Sequence, residues 1–299
     1  MKLWNHYHTP KTVDEAVDLL SRYAGQARVI AGGTDLLVDM RAEAHAPHEA
    51  LIDITRIPDM GAITREGDTL TLGAGVTHTQ IVQSAELRQH ATCLVEGCGV
   101  IGGPQVRNVG TIGGNVAHAL PAGDGTTSLV ALDADADVIM DGVRQWLPIR
   151  DLFRGAGQSL LNPTRDLLIQ FRFKATTHPQ ATAFARIMRP QGVALPVLGC
   201  AVWVSVSDNQ FTDARICIAP AAPIPSRAES VETALIGKAA NADTIEMAIN
   251  TAQSTLRLRT SKYRATADYR YEMVAVLLRR TLAKAIERAE TGFAVPEGV

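Results

Sequence analysis

The sequence predicts an α+β protein in two parts, and three observations predict it. Short apolar runs alternate with helical periodicity up to about Pro58. Between Leu70 and Lys174, strand-like runs are bounded by turn residues. After a polar break at Ala175–Thr182, two alternating runs are followed by helical sequence to the end. A chain of 299 residues has room for more than one core.

The elements follow in order. Thr12 and Glu15 form a capping box ahead of Val13, Ala16, Val17, Leu19 and Leu20, which predicts a helix to about Tyr23. "ARVIA" then reads as a short buried strand. Gly32 and Gly33 turn the chain into "TDLLVDMR", a second helix with Thr34 or Asp35 as its cap, and "ALIDIT" is another strand. "GAITREGDTLTLGAG" reads as a hairpin, with Leu70 and Leu72 alternating after a Glu-Gly-Asp turn. Helices are expected near Gln80–Ser84, over Ala85–Gly97 and through "TTSLVALDA". "ADVIM", "QWLPI" and "LLIQFRFK" look like strands of an antiparallel sheet. Beyond the break, "GCAVWVSVSD" and "FTDARICIAP" read as paired strands, and helices begin near Ala228, Thr244 and Thr266. This places one domain at 1–176, with subdomains of about 1–57 and 58–176, and a second at 177–299, a small antiparallel sheet with helices.

Composition excludes several classes. The net charge of −2 gives no electrostatic case for nucleic acid or an anionic membrane. No apolar run is long enough to span a bilayer, and "MKLWNHYHTP" lacks the apolar core of a signal peptide. Cys93, Cys98, Cys200 and Cys217 are scattered and form no CxxC pair, so neither a zinc site nor a disulfide framework is indicated. A cytoplasmic protein with reduced thiols is expected.

Two glycine-rich stretches remain: "RVIAGGTDLL" and "NVGTIGGNVAHALPAGDG". A strand, a glycine turn and a helix N-terminus make an anion site, because first-turn N–H groups lack intrahelical partners and glycine lets backbone approach a phosphate. Either loop alone is as well explained by a tight turn. Two in one domain favour a phosphate-bearing cofactor, whose diphosphate backbone N–H groups would neutralise without lysine or arginine. There is no GxGxxG and no GxxxxGK[ST], so Rossmann and P-loop sites are disfavoured.

"RVIAGGTDLLVDMR", "LIDITRIPDM", "LTLGAGVTHTQI", "IGGPQVRNVGTIGGNVAHALPAGD" and "YRATADYRYEMVAVLLRRTL" run in one order along nearly the whole chain. Together they resemble the FAD-binding medium subunit of the molybdenum hydroxylases, the family of xanthine dehydrogenase and carbon monoxide dehydrogenase. The resemblance implies an FAD-binding domain of the vanillyl-alcohol oxidase-like (PCMH) type with two subdomains. It implies that Ala31, Gly32, Gly33, Thr34, Asp35 and Leu36, with Gly110, Thr111, Gly113, Gly114 and Asn115, hold the diphosphate. Asp124 matches a position that binds sugar or ribityl hydroxyls, although it also reads as the N-cap of "GTTSLVAL". Ile101 matches a flavin-ring contact, Leu167 and Leu168 match a strand edge beside the ring, and Arg186 stands where the family often has lysine. His118 lies inside the central motif, where touching the cofactor and filling a small-residue loop are equally supported.

Where Val193 and Ala194 stand, the family commonly has an acidic residue, and "ARIMRPQGVALP" has no aromatic to cover the ring. The cysteine-rich insertion of relatives with a four-iron cluster is absent, so non-covalent FAD is the only redox centre expected. The resemblance implies two partners, a small subunit with [2Fe–2S] clusters and a large one with the molybdenum–molybdopterin cofactor, assembled as a dimer of heterotrimers. Electrons would pass from the clusters through FAD to NAD⁺, a quinone, oxygen or another acceptor. The rival readings are a stand-alone flavin-dependent oxidoreductase on the same scaffold and a non-redox nucleotide-binding subunit.

Three features read as decoys. "DADAD" (Asp133 to Asp137) begins like a calcium loop, but Val138 and Arg144 stand where glycine and glutamate are needed, so a helix end with solvated carboxylates is expected. His6 and His8 have no further ligand nearby in sequence and read as exposed or interface histidines. Arg257, Arg259, Lys262, Arg264 and Arg270 read as a solvated face or a protein-docking surface.

Overall fold

The computed structural model describes residues 3–42, 47–189, 194–262 and 264–298. The chain begins β1 (Trp4–His8), α1 (Val13–Tyr23), β2 (Ala27–Ile30), α2 (Leu36–Arg41), β3 (His48–Asp53), β4 (Ile63–Glu66) and β5 (Thr69–Gly73). Five short helices follow: α3 (His78–Gln83), α4 (Ala85–His90), α5 (Thr92–Gly99), α6 (Pro104–Arg107) and α7 (Ile112–Ala117). Then come α8 (Asp124–Ala131), β6 (Asp135–Met140), β7 (Val143–Pro148), β8 (Phe153–Gly155), β9 (Gln158–Ser159) and β10 (Leu167–Lys174). The last third holds β11 (Gln180–Met188), β12 (Pro196–Ser207), β13 (Gln210–Ala219), α9 (Glu229–Leu235), α10 (Ala242–Thr255) and α11 (Ala267–Thr291). The fold is α+β.

Packing divides the chain into two compact units. The first holds the residues up to Gln80, Pro104–Ala119 and Ala134–Lys174. The second holds Ile81–Gly103, Leu120–Asp133 and the chain from Ala175 onward. Thus α5 and α8, early in sequence, pack with the C-terminal part.

The first unit contains two principal sheets. Parallel strands in the order β1-β3-β2 form one, with Leu51 and Ile52 of the central strand fully buried. Helix α1 starts where the capping residues place it: Thr12 Oγ1 accepts from Glu15 N–H at 3.1 Å. The Glu15 carboxylate reaches back one residue further than a capping box requires, to Lys11 N–H at 2.7 Å. The other sheet runs β4-β5-β10-β6-β7, antiparallel throughout. Its β6–β7 turn uses Asp141 and Gly142, both at positive φ, the geometry that matches strand twist in a two-residue hairpin.

The second unit is built on the antiparallel sheet β11-β12-β13. Ala181 and Ala183 of β11 join a core with Val274, Leu277, Leu278 and Leu282 of α11. The alternate residues Thr182, Phe184 and Arg186 meet α5 and α8: Thr182 Oγ1 accepts from Cys93 N–H at 3.0 Å, and Arg186 pairs with Asp124. With both faces covered, β12 is buried almost end to end and loses the alternation of a half-exposed strand.

A strand paired on one side leaves a row of open backbone groups. In β11 a buried ion pair closes part of that edge. The Glu96 carboxylate accepts from Phe184 N–H at 2.8 Å, and Arg288 donates to the Thr182 carbonyl at 2.7 Å. Arg288 and Glu96 meet at 2.6 Å, with side chains 3% and 4% exposed. The same pair holds the C-terminal segment: Arg288 donates to the Val295 carbonyl and Glu297 N–H donates to Glu96. The charges therefore act as a substitute neighbouring strand.

Several expectations need correction. Strands β1 and β11 were not expected from the sequence. The expected helix over Ala85–Gly97 is two helices, broken at Ala91. The "DADAD" carboxylates are not all solvated. Asp135 and Asp137 lie in β6, and Asp137, 1% exposed, accepts from Arg144 and from the Gln170 amide. Arg270 is not on a solvated face. The helical spacing that buries Val274 and Leu277 buries it too, and it donates to the Pro220 carbonyl at 3.1 Å. Arg264 is half-buried and donates to the Pro196 carbonyl, while Arg257, Arg259 and Lys262 are exposed.

Substituting Arg288→Met would leave the Glu96 carboxylate buried without its counter-charge and the Thr182 carbonyl without its donor. The expected loss is ~3–5 kcal/mol, read as a lower urea midpoint at unchanged slope.

Candidate cofactor site

In the first unit, β2 ends at Ile30 and Gly33 turns the chain at φ +67°, a conformation that favours glycine. Helix α2 then starts at Leu36 without the expected cap. Asp35 holds the N-cap position but makes no side-chain cap hydrogen bond, and Thr34 only approaches the Asp35 carboxylate at 3.5 Å. Instead, Asp35 lies 3.9 Å from Nε2 of His118. His118 thus links the first glycine loop to the helix that follows the second.

The second loop is pinned from behind by residues 74–78. Gly113 N–H donates to the Ala74 carbonyl at 2.8 Å, Ile112 N–H to Val76 at 3.0 Å, and His78 N–H to Gly110 at 3.0 Å. Thr111 caps α7, accepting from Gly114 N–H at 3.1 Å. His78 is buried, its Nδ1 has no hydrogen-bond partner among the described residues, and its ring lies against Gly110. Burial, helped by the nearby Arg107 charge, pushes its pKa down to about 4, so the imidazole is neutral at physiological pH. The sequence contains His78 in "GAGVTHTQI" but gives no signal of its place behind the loop.

The two loops touch through bare backbone. A Cβ on Gly32 would overlap the Val109 carbonyl and lie 2.9 Å from Gly110 Cα. A Cβ on Gly113 would lie 2.6 Å from the Ala74 carbonyl oxygen. Gly114 differs. It is exposed, its φ is not left-handed, and a Cβ there would meet only Thr111 Oγ1, at 3.2 Å. The chain's own packing therefore requires glycine at 32 and 113, whereas at 114 a side chain would meet only the capping hydroxyl of Thr111. Asn115 beside it is half-buried. Leu167 and Leu168 open β10. They pair with β6 there, whereas the pairing of β10 with β5 begins only at Gln170, and both side chains are buried.

In the second unit, Ile101, Asp124 and Arg186 converge. Arg186 donates from Nη1 to Asp124 at 2.5 Å and from Nη2 to the carbonyl of Val100, the residue before Ile101. Asp124 is not an N-cap. Gly123 holds that position, and the Asp124 carboxylate turns to Arg186. Burial pushes the Asp124 pKa up to about 6 against the opposing pull of Arg186 and, more weakly, Arg264. Of the pair of positions where the family often has an acid, Val193 lies outside the described residues.

Among the described residues, no three His, Cys, Asp or Glu side chains gather as a metal site, and no helix is long and apolar enough to cross a membrane. All four cysteines are free and buried.

Comparison with known proteins places this geometry. Residues 3–173 match the family model described as the FAD binding domain in molybdopterin dehydrogenase. Residues 182–285 match the carbon monoxide dehydrogenase flavoprotein C-terminal domain. The chain is 32% identical to the carbon monoxide dehydrogenase medium chain of Hydrogenophaga pseudoflava, over 94% of this chain and 97% of that one. It is 26% identical to the xanthine dehydrogenase FAD-binding subunit of Escherichia coli O157:H7, over 95% and 96%. It is 28% identical to the nicotinate dehydrogenase FAD-subunit of Eubacterium barkeri, over 96% and 97%. A solved chain of the Hydrogenophaga pseudoflava carbon monoxide dehydrogenase superposes with a TM-score of 0.89 at 31% identity, covering 96% of this chain and 99% of that one. The chain belongs to the oxidoreductase family of FAD-binding medium subunits of the molybdenum hydroxylases.

Proposed function

We propose that the chain is the electron-transfer subunit of a heterotrimeric molybdenum hydroxylase, taking electrons from a [2Fe–2S] subunit and passing them to an external acceptor. A large subunit with the molybdenum cofactor would hydroxylate the substrate, and two such trimers would pair about a two-fold axis. The observation that carries this reading is the pair of glycine loops in backbone contact, with Gly114 exposed beside them, in a chain that matches the family along nearly its whole length. The relatives named as medium chains or FAD-binding subunits support a role as one chain of a larger assembly.

FAD, when bound, supplies storage for two electrons that arrive singly and leave together or singly. The protein's own work is to bind and orient it. Ala31 to Leu36 would hold the diphosphate by backbone N–H groups, and Gly110 to Asn115 would let it approach closely, since the N–H groups of Gly110 and of Ile112 to Asn115 are already used within the chain; His118 and Asp35 stand between the two loops. The Asp124 carboxylate would accept from sugar or ribityl hydroxyls. Ile101, Leu167 and Leu168 would give apolar contact to the ring, and Arg186 would complete the site. None of these side chains need act as an acid or a base.

Two substitutions separate the loop's structural glycines from the cofactor's. Gly32→Ala forces the two backbones apart and should destabilise the chain by at least ~2 kcal/mol, measured in urea. Gly114→Val should leave the melting temperature close to wild type but abolish FAD retention. A variant holding stoichiometric FAD would contradict the diphosphate assignment.

The chain expressed alone should be yellow and release its flavin on acid precipitation, which a covalent link would prevent. Mixed with carbon monoxide, purines or N-heterocycles, it should show no flavin bleaching, because oxidation would need the molybdenum and iron–sulfur chains. Rapid bleaching by any of these would defeat the subunit reading. Affinity purification of the complex, followed by metal analysis, should recover iron and molybdenum with it.

A further inference from the structure

Arg186 is more deeply committed to its own chain than a cofactor contact would be. Its side chain is 6% exposed and that of Asp124 is 5%. Nη1 donates to Asp124 Oδ2, and Nη2 donates to the Val100 carbonyl and to Met188 Sδ at 3.3 Å. Nε is buried with no partner among the described residues. One planar guanidinium therefore bridges three elements: the end of α5 at Val100, the start of α8 at Asp124, and β11, which carries it. Its cross-strand partner in β12 is Gly199. Two residues assigned to the flavin above, Asp124 and Ile101, are held at or next to the atoms that Arg186 grips.

We propose that Arg186 is a positioning residue of the flavin site: by bonding Asp124 and the Val100 carbonyl at once, it keeps that carboxylate ionised and the turn carrying Ile101 fixed, and it acts through them rather than on the cofactor. This rests on the FAD assignment of the preceding subsection. The chemistry of the donor fits the task. Arg presents N–H groups in a rigid fork, whereas Lys presents one compact charge on a flexible stem, so lysine can supply the charge without the bridge. An ionised Asp124 is an acceptor on both oxygens for sugar hydroxyls, and protonation removes part of that capacity.

The charged and titratable groups known to act on Asp124 or to feel it are few. They are Arg186 from β11, Arg264 from the segment before α11, and the thiol of Cys98 from α5, which burial raises so far that it stays neutral. Burial alone drives the Asp124 carboxyl toward its protonated form, and Arg186 is the strongest opposing influence. Removing Arg186 must therefore move the protonation of Asp124 to higher pH.

The test is FAD binding by the full-length chain, stripped of flavin and titrated by fluorescence quenching between pH 5 and 8. Wild type should bind more weakly as the pH falls through about 6. Arg186→Gln should weaken binding at pH 7 at least about tenfold and move that midpoint up by half a unit or more. Arg186→Lys should keep the midpoint near that of wild type yet still bind several-fold more weakly, because the Val100 bridge is gone. Asp124→Asn should lose the pH dependence. Wild-type affinity in Arg186→Lys would overturn the bridge, and an unmoved midpoint in Arg186→Gln would overturn the action through Asp124. If Arg186→Gln does not fold, Arg186→Lys and Asp124→Asn decide by the same criteria. These results all presuppose a wild-type chain that binds FAD. A wild-type chain that binds none at any pH would instead remove the FAD reading, and this inference with it.

Discussion

The site depends on a backbone contact: the glycine turn at Gly32 lies against the Val109 carbonyl and Gly110. Two loops nearly eighty residues apart can touch this closely only if position 32 carries no Cβ. That constraint explains most of the bare backbone. Gly32 is required by Val109, Gly113 by Ala74, and Gly33 by its positive φ. Each is needed by the fold itself and would be glycine in the absence of any ligand. Gly114 is required by nothing comparable within the chain. The informative glycine is thus the one the protein does not need for its own packing, and it lies at the first turn of α7 beside the capping Thr111.

Local rules made much of the fold legible in the sequence. The cap at Thr12, the Leu70 and Leu72 alternation, the three strands of the antiparallel sheet and the helices after Ala228 depend on neighbours a few residues away. Strands β1 and β11, which the sequence reading misses, do not. In β1 the pattern is one of exposed aromatic and polar residues, His6 and Tyr7 among them, with no apolar alternation to signal a strand. In β11, "QATAFARIM" is rich in alanine, which has little strand preference. It is a strand because β12 pairs with it on one side and Glu96 and Arg288 close part of the other, partners that come from distant parts of the chain.

The site divides in the same way. The glycine loops could be read directly from sequence. Their mutual contact could not, since nothing in either stretch names the other. The links of Arg186 to Asp124 and Val100 span 62 and 86 residues, so the sequence gives the residue but not its task. The cap assigned to Asp124 failed for a related reason. Local rules assign a carboxylate at a helix start to the helix N–H groups, but a buried guanidinium is a stronger partner and took it.

Buried arginine serves three ends in the second unit, and what it meets decides which. Arg270 donates to the Pro220 carbonyl and fills space on the buried face of α11. Arg288 meets a carboxylate that also accepts backbone N–H groups, and the pair completes a strand edge. Arg186 meets a carboxylate that accepts from no backbone N–H among the described residues, and its Nε, like that of Arg270, has no partner there. The Glu96–Arg288 pair is saturated and therefore reads as structural. The Asp124–Arg186 pair is buried as deeply but left incomplete, and burying incomplete charge is costly. Asp124 is held by Arg186 through one oxygen, so its carboxylate keeps acceptor capacity for the sugar hydroxyls proposed above.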